Sequence, residues 1–219
     1  MSAIDSEAAA QAWLCDGLGV DDKAMARLRA LVDLLIAENE RQNLVARGSL
    51  ASVWQRHIVD SAQLLHVSRE TGEGAWLDLG TGAGFPGLVI AALQPWRKVT
   101  LVDSRRLRTE WLARAAAALG LDAVEVILAR VEDLPARSFD VISARAFAPL
   151  ERLLGLSARF STPQTLWLLP KGAKASHELT ELDKAWRHTF HVEHSLTDSA
   201  AGILVGRVLG SPHTKARAT

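Results

Sequence analysis

Four glycines within eight residues, Gly80, Gly82, Gly84 and Gly87, constrain this 219-residue chain more than any other feature. They follow a short apolar run, Trp76, Leu77 and Leu79, with Asp78 inside it, and they precede an apolar segment at residues 88–93. The pattern predicts a buried strand, a tight loop and then a helix, with Pro86 near the first helical turn, where its missing N–H costs nothing. Glycines at alternate positions admit backbone conformations closed to other residues and leave no Cβ between backbone and ligand. The helix start adds unpaired N–H groups at the same place. Together these features describe a ligand-binding turn at the carboxyl end of a first parallel strand.

Upstream of the glycines the pattern is helical. A short helix is expected at residues 6–15, and Asp21 and Asp22 open a longer one, acids being favourable near a helix start. Leu28, Leu31, Val32, Leu35 and Ile36 recur with the spacing of a buried stripe. Gly48-Ser49 breaks and recaps the chain before a third helix, about residues 50–69, that places Trp54, Ile58, Ser61 and Leu65 on one side. Arg56, His57 and Asp60 fall within i+3 and i+4 of one another on that helix. A loop at residues 71–74 ends the helical portion.

Downstream, strands and helices alternate. Strands are expected at 98–103, 122–129, 139–143 and 165–169, the last broken by Pro170-Lys171-Gly172. Ser104 is placed to cap a helix whose buried face is Leu107, Trp111, Ala115 and Ala118, stopped by Gly120. Further helices are expected at 148–160 and 178–186, and a closing hairpin joins 190–196 to 203–209 through 198–202. This alternation is that of an α/β fold, a mostly parallel sheet with helices on both faces and one antiparallel strand from the hairpin. The expected organisation is a helical extension at 1–73, a Rossmann-like unit at 74–210 and a frayed tail at 211–219.

Composition narrows the classes. Lys plus Arg equals Asp plus Glu at 25 each, so no global field draws the protein to polyanions, and nucleic-acid contact depends on local basic clusters. The single cysteine, Cys15, excludes an intramolecular disulfide and a Cys-rich zinc site, and fits a reducing cytoplasm. No metal site and no signal peptide are expected, and a monomer is the expected state. The most apolar window, about residues 75–96, is interrupted by Asp78, the glycines and Pro86, which argues against a membrane span.

The ligand of the glycine loop follows from what surrounds it. Gly82, Gly84 and Gly87 match G-x-G-x-x-G, with Asp103 about 20 residues on, as in a dinucleotide site. The chain has no tyrosine for a Tyr-Lys hydride-transfer pair and no lysine placed as in a P-loop. Asp78 beside the loop would repel a pyrophosphate and would suit a cationic amine or a sulfonium. S-adenosyl-L-methionine carries both, and a ribose that Asp103 can hold through two hydroxyls.

Several segments, in order, are similar to the glucose-inhibited division protein B family of ribosomal RNA small-subunit methyltransferases. They are Asn43-Leu44, Arg56-His57-Ile58-Val59-Asp60-Ser61, Leu77 through Gly87, Val102-Asp103-Ser104, Arg130-Val131-Glu132, Ser143-Ala144-Arg145-Ala146-Phe147 and Lys171-Gly172. The resemblance implies a class I Rossmann-like S-adenosylmethionine-dependent methyltransferase sheet with an N-terminal helical extension. It implies methylation of N7 of a guanine, guanosine 527, in 16S rRNA, with the rRNA or the small ribosomal subunit as partner. By the same resemblance Gly80, Phe85, Val131, Glu132 and Arg145 match cofactor-contacting positions, beside Asp78, Gly82, Gly84 and Asp103 from the loop reading. Two other readings stay open at this point: a methyltransferase acting on another RNA or small molecule, and a non-catalytic ribosome-assembly binder.

Guanine N7 presents an in-plane lone pair with no proton to remove, so such a reaction needs positioning and no general base. Asn43, His57 and Asp60 are expected beside the loop, there to orient the guanine or to tie the helices to the sheet. Arg145, just past the fourth strand, is expected to act on substrate or cofactor. Arg105, Arg106, Arg108 and Arg114, with Lys171 and Lys174, are candidate phosphate contacts. The seven tryptophans are expected in the core.

Overall fold

In the computed structural model of the chain, which describes residues 4–68 and 74–210, strand β1 (Trp76–Leu79) is buried along its whole length. Its side chains alternate between two apolar layers, Trp76 in one and Leu77 and Leu79 in the other, as period-two geometry requires. The expected loop at 71–74, the helix end at Arg69 and the tail at 211–219 fall wholly or partly outside the described residues.

β1 pairs in parallel with β2 (Val99–Asp103) on one side and β4 (Val141–Ser143) on the other. β3 (Val124–Leu128) extends the sheet beyond β2, and β5 (Leu166–Gly172) beyond β4, both parallel. β8 (Gly202–Gly206) runs antiparallel to β5 and to β7 (His191–His194), giving the order β3-β2-β1-β4-β5-β8-β7. β6 (Arg187–His188) and β9 (Val208–Gly210) form a separate two-stranded ribbon. The strand order reverses between β1 and β4, where an open α/β sheet leaves a ligand crevice.

Helices α1 (Glu7–Asp16) and α2 (Asp22–Asn39) are capped by the side chains of Ser6 and Asp21, whose oxygens satisfy first-turn N–H groups. One apolar layer runs unbroken from these helices into α4 (Gly87–Leu93), α5 (Arg106–Ala118) and one face of the sheet. The helical extension therefore has no core of its own. The opposite face carries α6 (Leu150–Ser157) and α7 (Ala175–Thr180).

The structure departs from expectation in several places. Residues 47–67 are not one α-helix: a 3₁₀ segment (Arg47–Ser52) leads into a π-helical turn (Trp54–Val59) and then α3 (Asp60–Val67). Trp54, Ile58, Ser61 and Leu65 are nevertheless all buried, as their spacing predicts. In α5, Leu107 and Ala118 are exposed, and Thr109, Leu112 and Ala116 join Trp111 and Ala115 inside. Asp103 Oδ1 accepts the Arg105 N–H at 2.9 Å at this helix start, and Ser104 does not cap it. Pro170 stays within β5, because the register shifts between Pro170 and Gly172, a bulge at which a missing donor is tolerated. The last helix is Ala175–Thr180, short of the expected 178–186. Six of the seven tryptophans are buried; Trp96 is 59% exposed.

Candidate active site

The glycine loop and the residues that follow β2, β3 and β4 enclose a cleft of about 650 Å³ at the carboxyl ends of the parallel strands. A second cleft of about 580 Å³ lies between the π-helical turn, the end of β5 and the β7–β8 connection. Arg145, Ala146, Phe147 and Ala148 line both, so this short segment is the partition between two chambers.

The partition is tethered at both ends. Arg145 Nη1 donates to Asp60 Oδ2 at 3.0 Å and to the Arg56 carbonyl at 3.4 Å, and its guanidinium lies 5.2 Å from the Phe85 ring centroid. Lys171 Nζ donates to the Ala148 carbonyl at 2.7 Å and pairs with Glu178 at 3.0 Å, while Glu178 accepts the Leu150 N–H at 2.8 Å. Between the tethers, Ala146 has φ +53, a left-handed conformation uncommon outside glycine. The Lys171 side chain is only 8% exposed and engaged by Ala148 and Glu178, so it is a strut of the partition at the edge of the second cleft.

His57 forms the inner wall of the second chamber. Its ring stacks on Phe85 with centroids 5.1 Å apart and 12° between planes. Its Nε2 lies 2.8 Å from Ser49 Oγ, and that hydroxyl donates to the Ala46 carbonyl at 2.7 Å. With its one proton engaged, Ser49 accepts from His57, which assigns the Nε2–H tautomer. Burial, reinforced by the Arg145 and Arg56 charges, lowers the His57 pKa to about 4. The ring is neutral at neutral pH.

Asp78 lies under the loop. It has no exposed surface; Oδ1 accepts from Ser143 Oγ at 2.7 Å and Oδ2 accepts the Gly87 N–H at 3.0 Å. Ser143 in turn accepts from Trp76 Nε1 at 2.8 Å. Burial raises the Asp78 pKa to about 6 against the pull of these hydrogen bonds. The carboxylate therefore fastens the start of α4 to β1 and β4 and is absent from the cleft wall, in contrast to the direct ligand contact expected of it. Asp103, with Glu132, is an acid that faces the cleft. The two oxygens of Asp103 take the Gly82 N–H at 3.0 Å and the Arg105 N–H at 2.9 Å, and a carboxylate has further lone pairs to offer a ligand.

Residues 24–203 of the chain match the family described as rRNA small subunit methyltransferase G, GidB. The chain belongs to this family. A ribosomal RNA small subunit methyltransferase G from Novosphingobium aromaticivorans is 71% identical over 213 residues, covering 95% of this chain and 93% of the relative. One from Erythrobacter litoralis is 58% identical over 208 residues, covering 93% and 97%. A methyltransferase structure from Geobacter sulfurreducens superposes with a TM-score of 0.58 at 18% identity, over 82% of this chain and 90% of that one, a likeness of fold. The sheet is thus the class I Rossmann-like methyltransferase sheet, mostly parallel with β8 reversed.

In this GidB-family chain, Gly80, Gly82, Phe85, Asp103, Val131, Glu132 and Arg145 come together around the first chamber, and His57, Asp60 and Arg145 around the second. Gly84 lies outside both; a Cβ there would sit 2.4 Å from Leu88, so it admits close packing of the loop on α4. Asn43 also lies outside both, exposed, with its carbonyl accepting from Arg108. Its neighbours Leu44 and Val45 line the first chamber instead. They are set by Asn39, 2% exposed, whose Oδ1 accepts both their N–H groups at 2.9 Å. Sequence reasoning missed Asn39; its signal is a buried-face asparagine in the last turn of a helix. Phe147 was missed as a wall too, although an aromatic between strand and helix has no periodic place in either. The arginine run is divided: Arg114 pairs with Glu38 on α2 at 2.8 Å, and Arg105 lines the first chamber. Among the described residues, no group of three or more His, Cys, Asp or Glu is placed to hold a metal, and no helix is long and apolar enough to cross a membrane.

Proposed function

We propose that the chain transfers a methyl group from S-adenosylmethionine to N7 of a guanine, guanosine 527, in 16S rRNA. The shared partition carries this reading: Arg145 to Ala148 face a nucleoside-sized cleft on one side and a second cleft on the other, so two reactants meet across them. The first volume lies within the roughly 300–1,000 Å³ of small-molecule sites. Gly80, at φ +64, lets the loop backbone approach a ligand. Asp103 offers acceptors to a ribose diol, Val131 a buried apolar wall, and Glu132 a carboxylate for an exocyclic amine.

S-adenosylmethionine, when bound, supplies an electrophilic methyl group on a sulfonium. The residues of the second chamber hold the guanine with its N7 lone pair in line. No group there is required to remove a proton, and positioning of this kind is worth roughly 7–11 kcal/mol of barrier. Positive charge develops on the purine as the methyl arrives. A neutral His57 adds no opposing charge, and Asp60 offsets that of Arg145. The protein works in the cytoplasm as a monomer in this reading, and takes the folded rRNA or the small subunit as substrate, since its net charge is zero.

The test is incubation of purified protein with isotopically labelled S-adenosylmethionine and small subunits from a strain lacking the enzyme, followed by nucleoside mass spectrometry. Label in N7-methylguanosine at one position is expected. Label in another nucleoside, or none, overturns the proposal.

A further inference from the structure

Glu7 is the first residue of α1, yet its carboxylate serves a different helix. Oε2 accepts the Trp54 N–H at 3.0 Å and Oε1 accepts the Gln55 N–H at 2.9 Å. These are the opening donors of the π-helical turn, whose own preceding residue, Val53, provides no side-chain cap. A carboxylate at that point satisfies two orphan N–H groups and complements the dipole of the turn. Three further hydrogen bonds bind the junction. Gln55 Nε2 donates to the carbonyls of Ile4 at 2.7 Å and Thr197 at 3.2 Å, and the Ile4 N–H donates to the Leu196 carbonyl at 2.7 Å.

The turn so clamped carries the wall of the second chamber. It contains Arg56, whose carbonyl receives Arg145, and His57, which stacks on Phe85, and it ends at Asp60. Asp60 Oδ1 accepts from Gln63 Nε2 at 3.0 Å and Thr197 Oγ1 at 3.2 Å, leaving Oδ2 for Arg145. Winding matters here, because each residue gained or lost in a helical turn rotates the side chains beyond it by about 100°. A turn relaxed from π to α winding would carry His57 and Asp60 off the partition. Such π turns are uncommon and are held by their surroundings.

We infer that Glu7 is a positioning residue for methyl transfer: it caps the π-helical turn from outside that segment and so sets where Asp60 holds Arg145 and where His57 meets Phe85. The inference rests on the proposed assignment of the two chambers. Glu7 itself lines neither of them.

The experiment compares Glu7→Ala, Glu7→Gln, Asp60→Asn and the Glu7→Ala/Asp60→Asn double variant in kcat and KM for small subunits, with S-adenosylmethionine affinity measured separately below each variant's Tm. Glu7→Ala is expected to lower kcat about tenfold or more, as sub-ångström misplacement does, and to change cofactor affinity much less. Glu7→Gln keeps one acceptor oxygen and is expected to fall between; it also serves if Glu7→Ala does not fold. In the Asp60→Asn background the Glu7→Ala effect on kcat is expected to be clearly smaller than in wild type, because part of it acts through the same guanidinium, the remainder passing through the His57–Phe85 contact. Unchanged kcat in folded Glu7 variants, or effects that multiply in the double variant, overturn the inference and confine Glu7 to stability. An inactive wild type overturns the proposed function and this inference together, whereas an active wild type with an unaffected Glu7→Ala overturns this inference alone.

Discussion

Arg145 and Asp60, 85 positions apart in the chain, meet at 3.0 Å in the wall between the two chambers. Both side chains are about four-fifths buried, and the guanidinium also rests over Phe85. Arg145→Ala removes a tether and a charge that face both chambers. Turnover is expected to fall about a hundredfold or more, with the far-UV circular dichroism unchanged. Full turnover in a folded Arg145→Ala protein would contradict the assignment.

Asn39 acts at a distance from the chemistry. Its carbonyl oxygen fixes two consecutive N–H groups of the Leu44-Val45 wall. Asn39→Ala leaves those donors without a partner, a loss of about 1–3 kcal/mol in unfolding free energy. Calorimetry is expected to show S-adenosylmethionine bound about tenfold more weakly. Unchanged affinity would place Asn39 in the fold alone.

Two left-handed glycines separate backbone strain from site geometry. Gly80 has φ +64 and a Cβ there would lie 2.4 Å from Phe147; Gly120 has φ +65 and open space around it. Alanine at either position costs about 1–2 kcal/mol for the left-handed backbone. Gly80→Ala is expected, in addition, to displace Phe147 and abolish cofactor binding, while Gly120→Ala binds normally. Equal binding by both proteins would remove Phe147 from the account.

The strand, glycine loop and helix at 76–93 were legible because periodicity and loop chemistry agree there, and the family segments fell in the right order. The phase of α5 was not. The run from Ala115 to Ala118 offers four equally small side chains, which leave helix rotation undetermined until Trp111 and Leu112 meet the sheet. Gly80, Gly82, Phe85, Asp103 and Arg145, candidates from their loops at strand ends, all line the first chamber. Asp78 was singled out beside the loop, and its side chain is buried beneath it, since a sequence does not say on which side of a loop a carboxylate points. The partners of Asp60 and His57 were misjudged for a related reason. Helical spacing suggested Arg56 as neighbour, whereas Asp60 reaches Gln63 one turn on and, through the tertiary fold, Thr197 and Arg145, and His57 meets Phe85 and Ser49.

Acid stability carries two opposed contributions. Asp78, raised to about 6 by burial, binds its proton more readily folded than unfolded. Its contribution is full below about pH 4 and is lost as pH rises through about 6. His57, lowered to about 4, binds its proton less readily folded. Its contribution is full above about pH 6.5 and is lost as pH falls through about 4. Urea unfolding over about pH 4 to 7 is expected to show a steeper loss on acidification in Asp78→Asn than in wild type, and a shallower one in His57→Phe, the differences on the order of 2 kcal/mol across the window. Parallel curves for all three proteins would contradict these protonation states.

A crystal structure with S-adenosylhomocysteine tests the central claim most directly. The nucleoside is expected in the first chamber, its ribose hydroxyls on Asp103 and its sulfur turned to the partition at Arg145 and Phe147. A ligand bound elsewhere, or a sulfur facing away from that partition, would contradict a methyl transfer between the two chambers.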